Sequence, residues 1–193
     1  MKKVFFFILL TFLSLSLNSL AVSKEALLSL FENVDALKME FSQITELPVA
    51  GDTVSLYKGV IYYKRPLKFR WEYTEGSSSL IVSDGYRVLV NIEGDCQVME
   101  LDNNALFPFI ELLENREEFL RRFGVREERD RIVVIPKDGE SVFKEIAFVF
   151  KGGKLVRIET LQEGGTRSVY EIKSIEKNVK LSDDLFRVSS CEG

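Results

Sequence analysis

The chain has 193 residues and contains no histidine. Histidine supplies the general base of the common serine and cysteine hydrolases and is one of the usual ligands of zinc. Its absence therefore excludes those catalytic and metal sites in their ordinary form. The sequence also lacks the Gly-x-x-x-x-Gly-Lys-Ser/Thr loop that holds nucleotide phosphates. Any energy from nucleotide hydrolysis must then come from a partner.

Cysteine is scarce as well, since Cys96 and Cys191 are the only two. Two thiolates do not complete the four-ligand shell of a structural zinc site, and we predict neither a metal nor a cofactor. In an oxidising compartment the two cysteines could form a disulfide that closes a loop of about 95 residues. The sequence equally allows two unpaired thiols, so the pairing stays open at this point.

Positive charge is the minority sign, with 26 Lys and Arg against 30 Asp and Glu. Nucleic-acid binding depends on a basic surface, and we predict no nucleic-acid partner. Acidic residues such as Glu72, Asp84 and Glu100 raise the alternative of a carboxylate-based glycosidase. A glycosidase needs two carboxylates in a polar cleft, whereas the acidic residues here mostly alternate outward on strands. We therefore predict that the protein is not an enzyme.

Long apolar runs are rare, and only Val4–Leu17 stands out. Two lysines precede this run, and Ser19–Ala21 places small residues where a signal peptidase cuts. The run has about 14 residues, fewer than the roughly 20 that a membrane-spanning helix needs. We therefore predict a cleaved signal peptide at residues 1–21 and a single exported domain at residues 22–193.

Residue 22, the first after the predicted cleavage, is valine and not the cysteine that lipid modification requires. No later stretch is long and apolar enough to cross a membrane as a helix. We expect an unanchored protein that diffuses through the compartment to which it is exported.

The domain begins with a helical pattern. Ser23 suits the N-cap, and Glu25 would meet the positive end of the helix dipole. Apolar residues at helical spacing then predict an amphipathic helix of about 14 residues. They are Leu27, Leu30, Phe31, Val34 and Leu37. A second helical segment is predicted over residues 106–123, broken into two short helices at Asn115.

The rest of the domain favours strands, because polar and apolar residues alternate between glycine-containing turns. Gly59 indicates a bulge, and Asp84-Gly85 predicts a type I′ hairpin turn with positive φ at both residues. We predict nine or so antiparallel strands, which will curl strongly. They lie near residues 39–47, 54–64, 69–74, 80–83, 86–92, 96–101, 131–135, 143–150, 155–162 and 166–175. The predicted fold class is mainly β with α, a curled antiparallel sheet with helices available to cover its concave face.

The densest aromatic signal lies on the second and third of these strands. Period two places alternate residues of each strand on one face. They are Ile61, Tyr63 and Arg65 on one strand and Phe69, Trp71 and Tyr73 on the next. Such stripes most often belong to a core. The chain, however, holds 15 Phe, 6 Tyr and one Trp, of which four Phe fall in the predicted signal peptide. One curled sheet with few helices would not cover all of this surface, and we expect the remainder to line a cavity.

Four short blocks follow one another along the domain. They are Phe41-Ser42-Gln43, Arg65-Pro66-x-x-Phe69-x-Trp71, Leu80-Ile81-Val82-Ser83-Asp84-Gly85 and Phe107-Pro108-Phe109. In this order and behind a signal peptide, they resemble the LolA family of periplasmic outer-membrane lipoprotein carriers. The resemblance spans roughly residues 23–187, almost the whole predicted domain.

The resemblance implies an unclosed half-barrel in which helices form a lid over a hydrophobic cavity. It implies that Arg65 locks this lid through hydrogen bonds when the cavity is empty, and that Phe69 and Trp71 belong to the lipid-handling wall. The strand pattern adds further candidates for the lipid-binding surface. They are Phe41, Ile61, Tyr63 and Tyr73.

The resemblance also implies a function. We expect a periplasmic carrier that shields the acyl chains of lipoproteins released from the inner membrane and delivers them to the outer membrane. The implied partners are acylated lipoproteins, an inner-membrane ABC-type releasing complex and, where one exists, an outer-membrane acceptor, and we expect a monomer. Two alternatives stay open, namely another envelope lipid-binding or stress-sensing half-barrel protein and a structural or assembly factor.

Overall fold

The computed structural model describes residues 22–48, 53–102, 107–137, 139 and 141–191. The predicted signal peptide, residues 1–21, lies outside these described residues. Over the described ranges, no helix has both the length and the apolar character needed to cross a membrane.

The described residues form one antiparallel sheet of eleven strands together with three short α-helices and a 3-10 helix. The strands are β1 Ala36–Leu47, β2 Thr53–Lys64, β3 Lys68–Glu75, β4 Leu80–Asp84, β5 Arg87–Ile92, β6 Asp95–Glu100, β7 Phe123–Glu127, β8 Arg131–Pro136, β9 Phe143–Lys151, β10 Lys154–Gln162 and β11 Arg167–Lys177. The helices are α1 Lys24–Leu30, α2 Pro108–Glu114, α3 Arg116–Arg122 and the 3-10 helix Asp183–Phe186.

The strand order is β6-β5-β4-β3-β2-β1-β11-β10-β9-β8-β7, so the sheet ends at β6 on one side and at β7 on the other. Because these two end strands do not pair with each other, the sheet is unclosed. This architecture confirms the predicted fold class, with eleven strands in the described residues where nine or so were expected.

The central strand β1 shows how the sequence pattern sets the inner face. Met39 and Phe41 are each 2% exposed and Gln43 is 6% exposed, whereas the residues between them are less buried. A period of two sends alternate side chains to opposite faces of a strand. The predicted alternation is therefore confirmed, and the inward residues of β1 lie beneath the helices.

The predicted first helix is wrong in length. Ser23 does cap α1, since its Oγ accepts the Ala26 amide at 3.4 Å, but the helix has only seven residues. Asn33 then adopts φ 54°, a left-handed conformation that asparagine tolerates better than most residues. Val34 and Leu37 are buried as the pattern required, but they reach the core from a turn and from β1.

The predicted type I′ turn at Asp84-Gly85 is also wrong. Gly85 has φ 96°, whereas Asp84 has no positive φ and accepts the backbone amides of Tyr86 and Arg87 on its side chain. Positive φ at two successive residues occurs instead at Glu93 and Gly94 (54° and 95°), which join β5 to β6, and at Gly152 and Gly153 (58° and 75°), which join β9 to β10. At the Asp84-Gly85 turn the Asp84 side chain accepts the turn amides, so the Asp84 backbone keeps an ordinary conformation.

The predicted break at Asn115 is confirmed. Asn115 ends α2 and caps α3, because its side-chain oxygen accepts the amides of Glu117 and Glu118 at 3.1 and 3.0 Å. The helical segment ends one residue early, because Phe123 begins strand β7, which the sequence analysis missed. Residues 103–106, at the predicted start of this segment, lie outside the described residues.

The main core lies between the concave face of the sheet and the helices. Phe109 and Leu113 of α2 and Phe119 of α3 are essentially buried and belong to one cluster with the inner residues of β1 and β2. We call α2 and α3 together the helical cover. It contacts the sheet through apolar side chains, whose burial is the main stabilising term for such a layer.

A second, smaller cluster holds the C-terminal segment. Val188 packs with Val82 of β4 and Leu89 of β5. A disulfide between Cys96 and Cys191, whose Cα atoms are 5.6 Å apart, fixes this segment to edge strand β6. The pairing that the sequence left open is therefore formed.

Candidate functional site

An apolar cavity of about 390 Å³ lies between strands β2 to β6, the start of α2 and the start of β9. Its wall is made almost entirely of aliphatic and aromatic side chains, with acidic residues at one side. The lining residues are Ile61, Phe69, Trp71, Tyr73, Ile81, Val88, Val90, Met99, Glu100, Leu101, Asp102, Phe107, Ile110, Val142, Phe143, Gln162 and Tyr170. Such a wall suits hydrocarbon and offers few groups for a polar ligand.

Four of the predicted site residues line this cavity, namely Ile61, Phe69, Trp71 and Tyr73. The strand register explains why they meet. Ile61 of β2 is the partner of Trp71 of β3, and directly opposed residues of an antiparallel pair project to the same face. The alternation along β3 then adds Phe69 and Tyr73 to the same wall.

Phe41 lies behind this wall and does not line the cavity. Its ring meets the rings of Trp71 and Tyr73 edge-on, with centroids 5.6 and 5.9 Å apart. The gap beside these rings is only about 10 Å³, too small for a ligand. Phe41 therefore supports the position of two lining aromatics, an arrangement that adds stabilisation beyond area burial.

A buried polar chain runs along one side of the aromatic cluster. The Tyr73 hydroxyl donates to Gln43 Oε1 at 2.7 Å, and Gln43 Nε2 donates to Thr45 Oγ1 at 2.7 Å. Thr45 shares a further hydrogen bond with Ser168 at 2.9 Å. Burial raises the pKa of Tyr73 to about 12. The chain lets polar atoms lie within an apolar layer without the desolvation cost of unpaired groups.

Arg65 lies at the C-terminal end of α2. Its guanidinium donates to the carbonyl of Glu114 at 3.0 Å and also to the carbonyl of Leu113. Its Nε is 3.7 Å from the Asp35 carboxylate, and its side chain is 39% exposed. The last carbonyls of a helix have no partner within the helix, so a cation at this end satisfies them and suits the helix dipole.

Tyr63 is fully buried and lies apart from the cavity wall. Its hydroxyl donates to Glu114 Oε1 at 2.8 Å. Burial, assisted by this carboxylate, raises the pKa of the Tyr63 hydroxyl. Tyr63 and Arg65 therefore both contact the end of α2, whereas the other predicted residues lie on or behind the cavity wall.

Much of the opposite wall was not predicted from the sequence. Phe107 contacts Trp71 and Phe143 with centroids 5.3 and 5.1 Å apart, and Tyr170 contacts Trp71 at 5.7 Å. Phe107 stands in one of the four sequence blocks, and Phe143 and Tyr170 fall on predicted strands. Phe107 and Tyr170 thus meet Trp71, and Phe143 meets Phe107. These contacts depend on the curl of the sheet, which no local pattern specifies.

No group of acidic or cysteine side chains suited to hold a metal ion occurs in the part of the chain that the structure describes.

Comparison with known proteins gives matches over most of the chain. The sequence model of the family described as outer membrane lipoprotein carrier protein LolA matches residues 32–189. An outer-membrane lipoprotein carrier protein of Nitrosospira multiformis is 28% identical over 196 residues, which cover 97% of this chain and 94% of that protein. One from Cupriavidus pinatubonensis is 25% identical over 186 residues, with 91% and 87% covered. A solved structure of a LolA superfamily protein from Nitrosomonas europaea is 14% identical, with a TM-score of 0.48 over 87% of this chain and 99% of that one.

Proposed function

The chain belongs to the LolA family of outer-membrane lipoprotein carrier proteins, and on this premise we propose that its apolar cavity shields lipoprotein acyl chains as they cross the periplasm. The observation that carries the proposal is the cavity wall, which is built from large apolar side chains of β2 to β6 and the helical cover. Proteins of this family are carriers and not enzymes, which removes the glycosidase alternative.

Transfer energies explain why a carrier is needed. Each methylene moved from water into an apolar environment gains about 0.8 kcal/mol. A lipoprotein with three acyl chains carries on the order of 45 methylenes, so its release into water is prohibitive without a shield. A large apolar wall supplies this shield, and aromatic side chains give it a fixed shape.

The cavity volume also indicates a conformational step. About 390 Å³ falls in the range of roughly 300–1,000 Å³ that holds one drug-sized ligand, and three acyl chains need more room. In our proposal the helical cover moves away from the sheet to admit them. Arg65 opposes this movement, because its hydrogen bonds to the carbonyls of Leu113 and Glu114 hold the end of α2.

This resistance gives the carrier a way to release its cargo. Closing the helical cover restores the Arg65 hydrogen bonds and so lowers the free energy of the cargo-free state. A carrier built in this way binds acyl chains less tightly than an apolar sleeve of the same area, and transfer to an acceptor becomes possible.

The proposed partners are acylated lipoproteins, an inner-membrane ABC-type complex that releases them, and an outer-membrane acceptor where one exists. The protein would act as a monomer in the periplasm. The Cys96–Cys191 disulfide supports this location, since disulfides persist in oxidising compartments outside the cytosol.

The test is mass spectrometry of the protein purified from the cell envelope under conditions that keep complexes intact. The proposal predicts intact triacylated lipoproteins bound in a one-to-one complex. Bound phospholipid or fatty acid without lipoprotein would favour a general envelope lipid-binding protein. Absence of any apolar molecule under several growth conditions would contradict the proposal.

A further inference from the structure

Glu114, the last residue of α2, forms a second link between the helical cover and the sheet. Its Oε1 accepts the Tyr63 hydroxyl at 2.8 Å and the backbone amide of Leu67 at 2.5 Å. Both donors belong to the β2–β3 hairpin. The Glu114 side chain is only partly exposed. The Glu114 carboxylate thus accepts two hydrogen bonds. A hydrogen bond to a charged group is stronger than one between neutral groups.

The backbone of the β2–β3 hairpin adopts an unusual conformation at Leu67, the residue whose amide donates to this carboxylate. Leu67 has φ 54°, a left-handed conformation that is uncommon for any residue other than glycine and especially for a bulky one. Conformations of this kind raise the free energy and persist only when the surroundings stabilise them. Here the conformation accompanies an amide that is directed at Glu114, so the contact offsets local strain.

The position of Glu114 would otherwise be unfavourable. A negative charge at the C-terminal end of a helix is repelled by the helix dipole. The same hairpin places Arg65 on the two backbone carbonyls at this end, so the hairpin supplies a cation for the carbonyls and two donors for the carboxylate. The two interactions use different atoms of the same helix end.

We propose that Glu114 is a positioning residue that holds the helical cover closed through Tyr63 and Leu67, in addition to Arg65. We call these four residues the clasp. The inference rests on the proposed function, because it assumes that the cover opens to admit acyl chains. It goes beyond the role of Arg65, since it assigns part of the closing free energy to a carboxylate.

The consequence for binding is specific. If acyl chains bind only to the open form, the apparent affinity is reduced by the fraction of molecules that are open. A variant that weakens the clasp should bind acyl chains more tightly. A variant that merely damages the fold should bind them less tightly, so the direction of the change separates the two explanations.

The experiment compares wild type with Glu114→Ala, Glu114→Gln, Tyr63→Phe and the Glu114→Ala/Tyr63→Phe double variant. Glu117→Gln is the matched control, because it removes a carboxylate from an exposed position on α3. The two readouts are hydrogen exchange of the α2 amides and the affinity for a dansyl-labelled C16 fatty acid.

We expect Glu114→Ala to speed exchange of the α2 amides about tenfold and to tighten binding of the fatty acid about three- to tenfold. Glu114→Gln should show a smaller change, because a neutral amide oxygen still accepts hydrogen bonds. Tyr63→Phe should not loosen α2 further once Glu114 is replaced, because the Tyr63 hydroxyl has then already lost its acceptor on α2.

Equal behaviour of Glu114→Ala and Glu117→Gln in both readouts would overturn the inference, as would weaker fatty-acid binding by a well-folded Glu114→Ala variant. If Glu114→Ala does not fold, Tyr63→Phe decides alone, because it keeps the buried ring and removes only the donor. Failure of wild type to bind the fatty acid would contradict the proposed function, and the exchange data would still decide whether Glu114 holds α2.

Discussion

Gly59 of β2 is the direct partner of Phe41 of β1, and the Phe41 ring covers the space in which a side chain of Gly59 would begin. A Cβ placed on Gly59 would lie 2.5 Å from Phe41 Cζ and 2.7 Å from the backbone oxygen of Glu72. The sheet also bulges here, between Lys58 and Gly59 in the pairing with β3. The missing side chain therefore leaves room for the Phe41 ring to contact Trp71 edge-on.

The first prediction follows from this contact. Gly59→Ala should destabilise the protein by about 1–3 kcal/mol, since overpacking a tight site forces neighbours to shift. It should also alter the fluorescence of Trp71, whose ring touches Phe41. Gly164→Ala is the control, because nothing lies within 4 Å of a Cβ at that position. Equal urea midpoints for the two variants would contradict the account of Gly59.

The second prediction concerns Arg65. Arg65→Leu should keep the fold, because the side chain is partly exposed, but it should slow the transfer of bound lipoprotein to outer-membrane vesicles. The reason is that leucine cannot donate to the carbonyls of Leu113 and Glu114, so closure no longer assists release. Arg65→Lys, which keeps the charge and one donor group, should retain part of the transfer rate. Wild-type transfer by Arg65→Leu would show that the guanidinium does not control release.

The third prediction concerns the Cys96–Cys191 disulfide. Reduction should lower the free energy of unfolding by about 2–5 kcal/mol, as expected for a bond that closes a long loop. The first local effect should be faster hydrogen exchange near Val188, which packs on Val82 and Leu89. The Cys96→Ser/Cys191→Ser variant should have the same urea midpoint as the reduced wild type, and reductant should not change that midpoint. An unchanged urea midpoint in reductant would refute this role.

The fourth prediction is a wide pH plateau of stability. Burial raises the pKa of Tyr73 to about 12, so its contribution is complete below about pH 10 and is lost as the pH rises towards 12. Hydrogen bonds from Lys68 and Lys64 lower the pKa of Asp183. The contribution of Asp183 is therefore complete above its unfolded value, about pH 4, and is lost as the pH falls below it.

With no histidine in the chain, the urea midpoint should stay constant between about pH 6 and 8. It should fall above about pH 10, where Tyr73 alone contributes a loss of about 1 kcal/mol by pH 11. Tyr73→Phe should show a smaller alkaline decrease than wild type. A stability transition near pH 7 would be inconsistent with this picture.

Local pattern predicted much of the fold. The alternation of β1 placed Met39 and Phe41 inward, and Asn115 was predicted to separate two helices, because both signals depend on neighbouring residues alone. The wall residues Ile61, Phe69, Trp71 and Tyr73 were found for the same reason, since period two and a short hairpin are enough to bring them together.

Other features needed the tertiary structure. Val34 and Leu37 fit a helical spacing, yet a turn at Asn33 buries them equally well, so the sequence could not distinguish the two. Strand β7 is only five residues long and begins immediately after α3, and its pairing with β8 defines it. The role of Glu114 could not be predicted from local pattern, because its partners Tyr63 and Leu67 are about 50 residues away in sequence.

The central claim, that acyl chains occupy the cavity, is tested most directly by photo-crosslinking in living cells. A benzoylphenylalanine that replaces Phe69 would lie on the cavity wall. One that replaces Tyr62 is the control. Tyr62 lies between the buried residues Ile61 and Tyr63 on β2, so its side chain faces the opposite side of the sheet. The account predicts adducts between position 69 and the acyl chains of lipoproteins, with few or none at position 62. Equal crosslinking at both positions, or none at position 69, would contradict it.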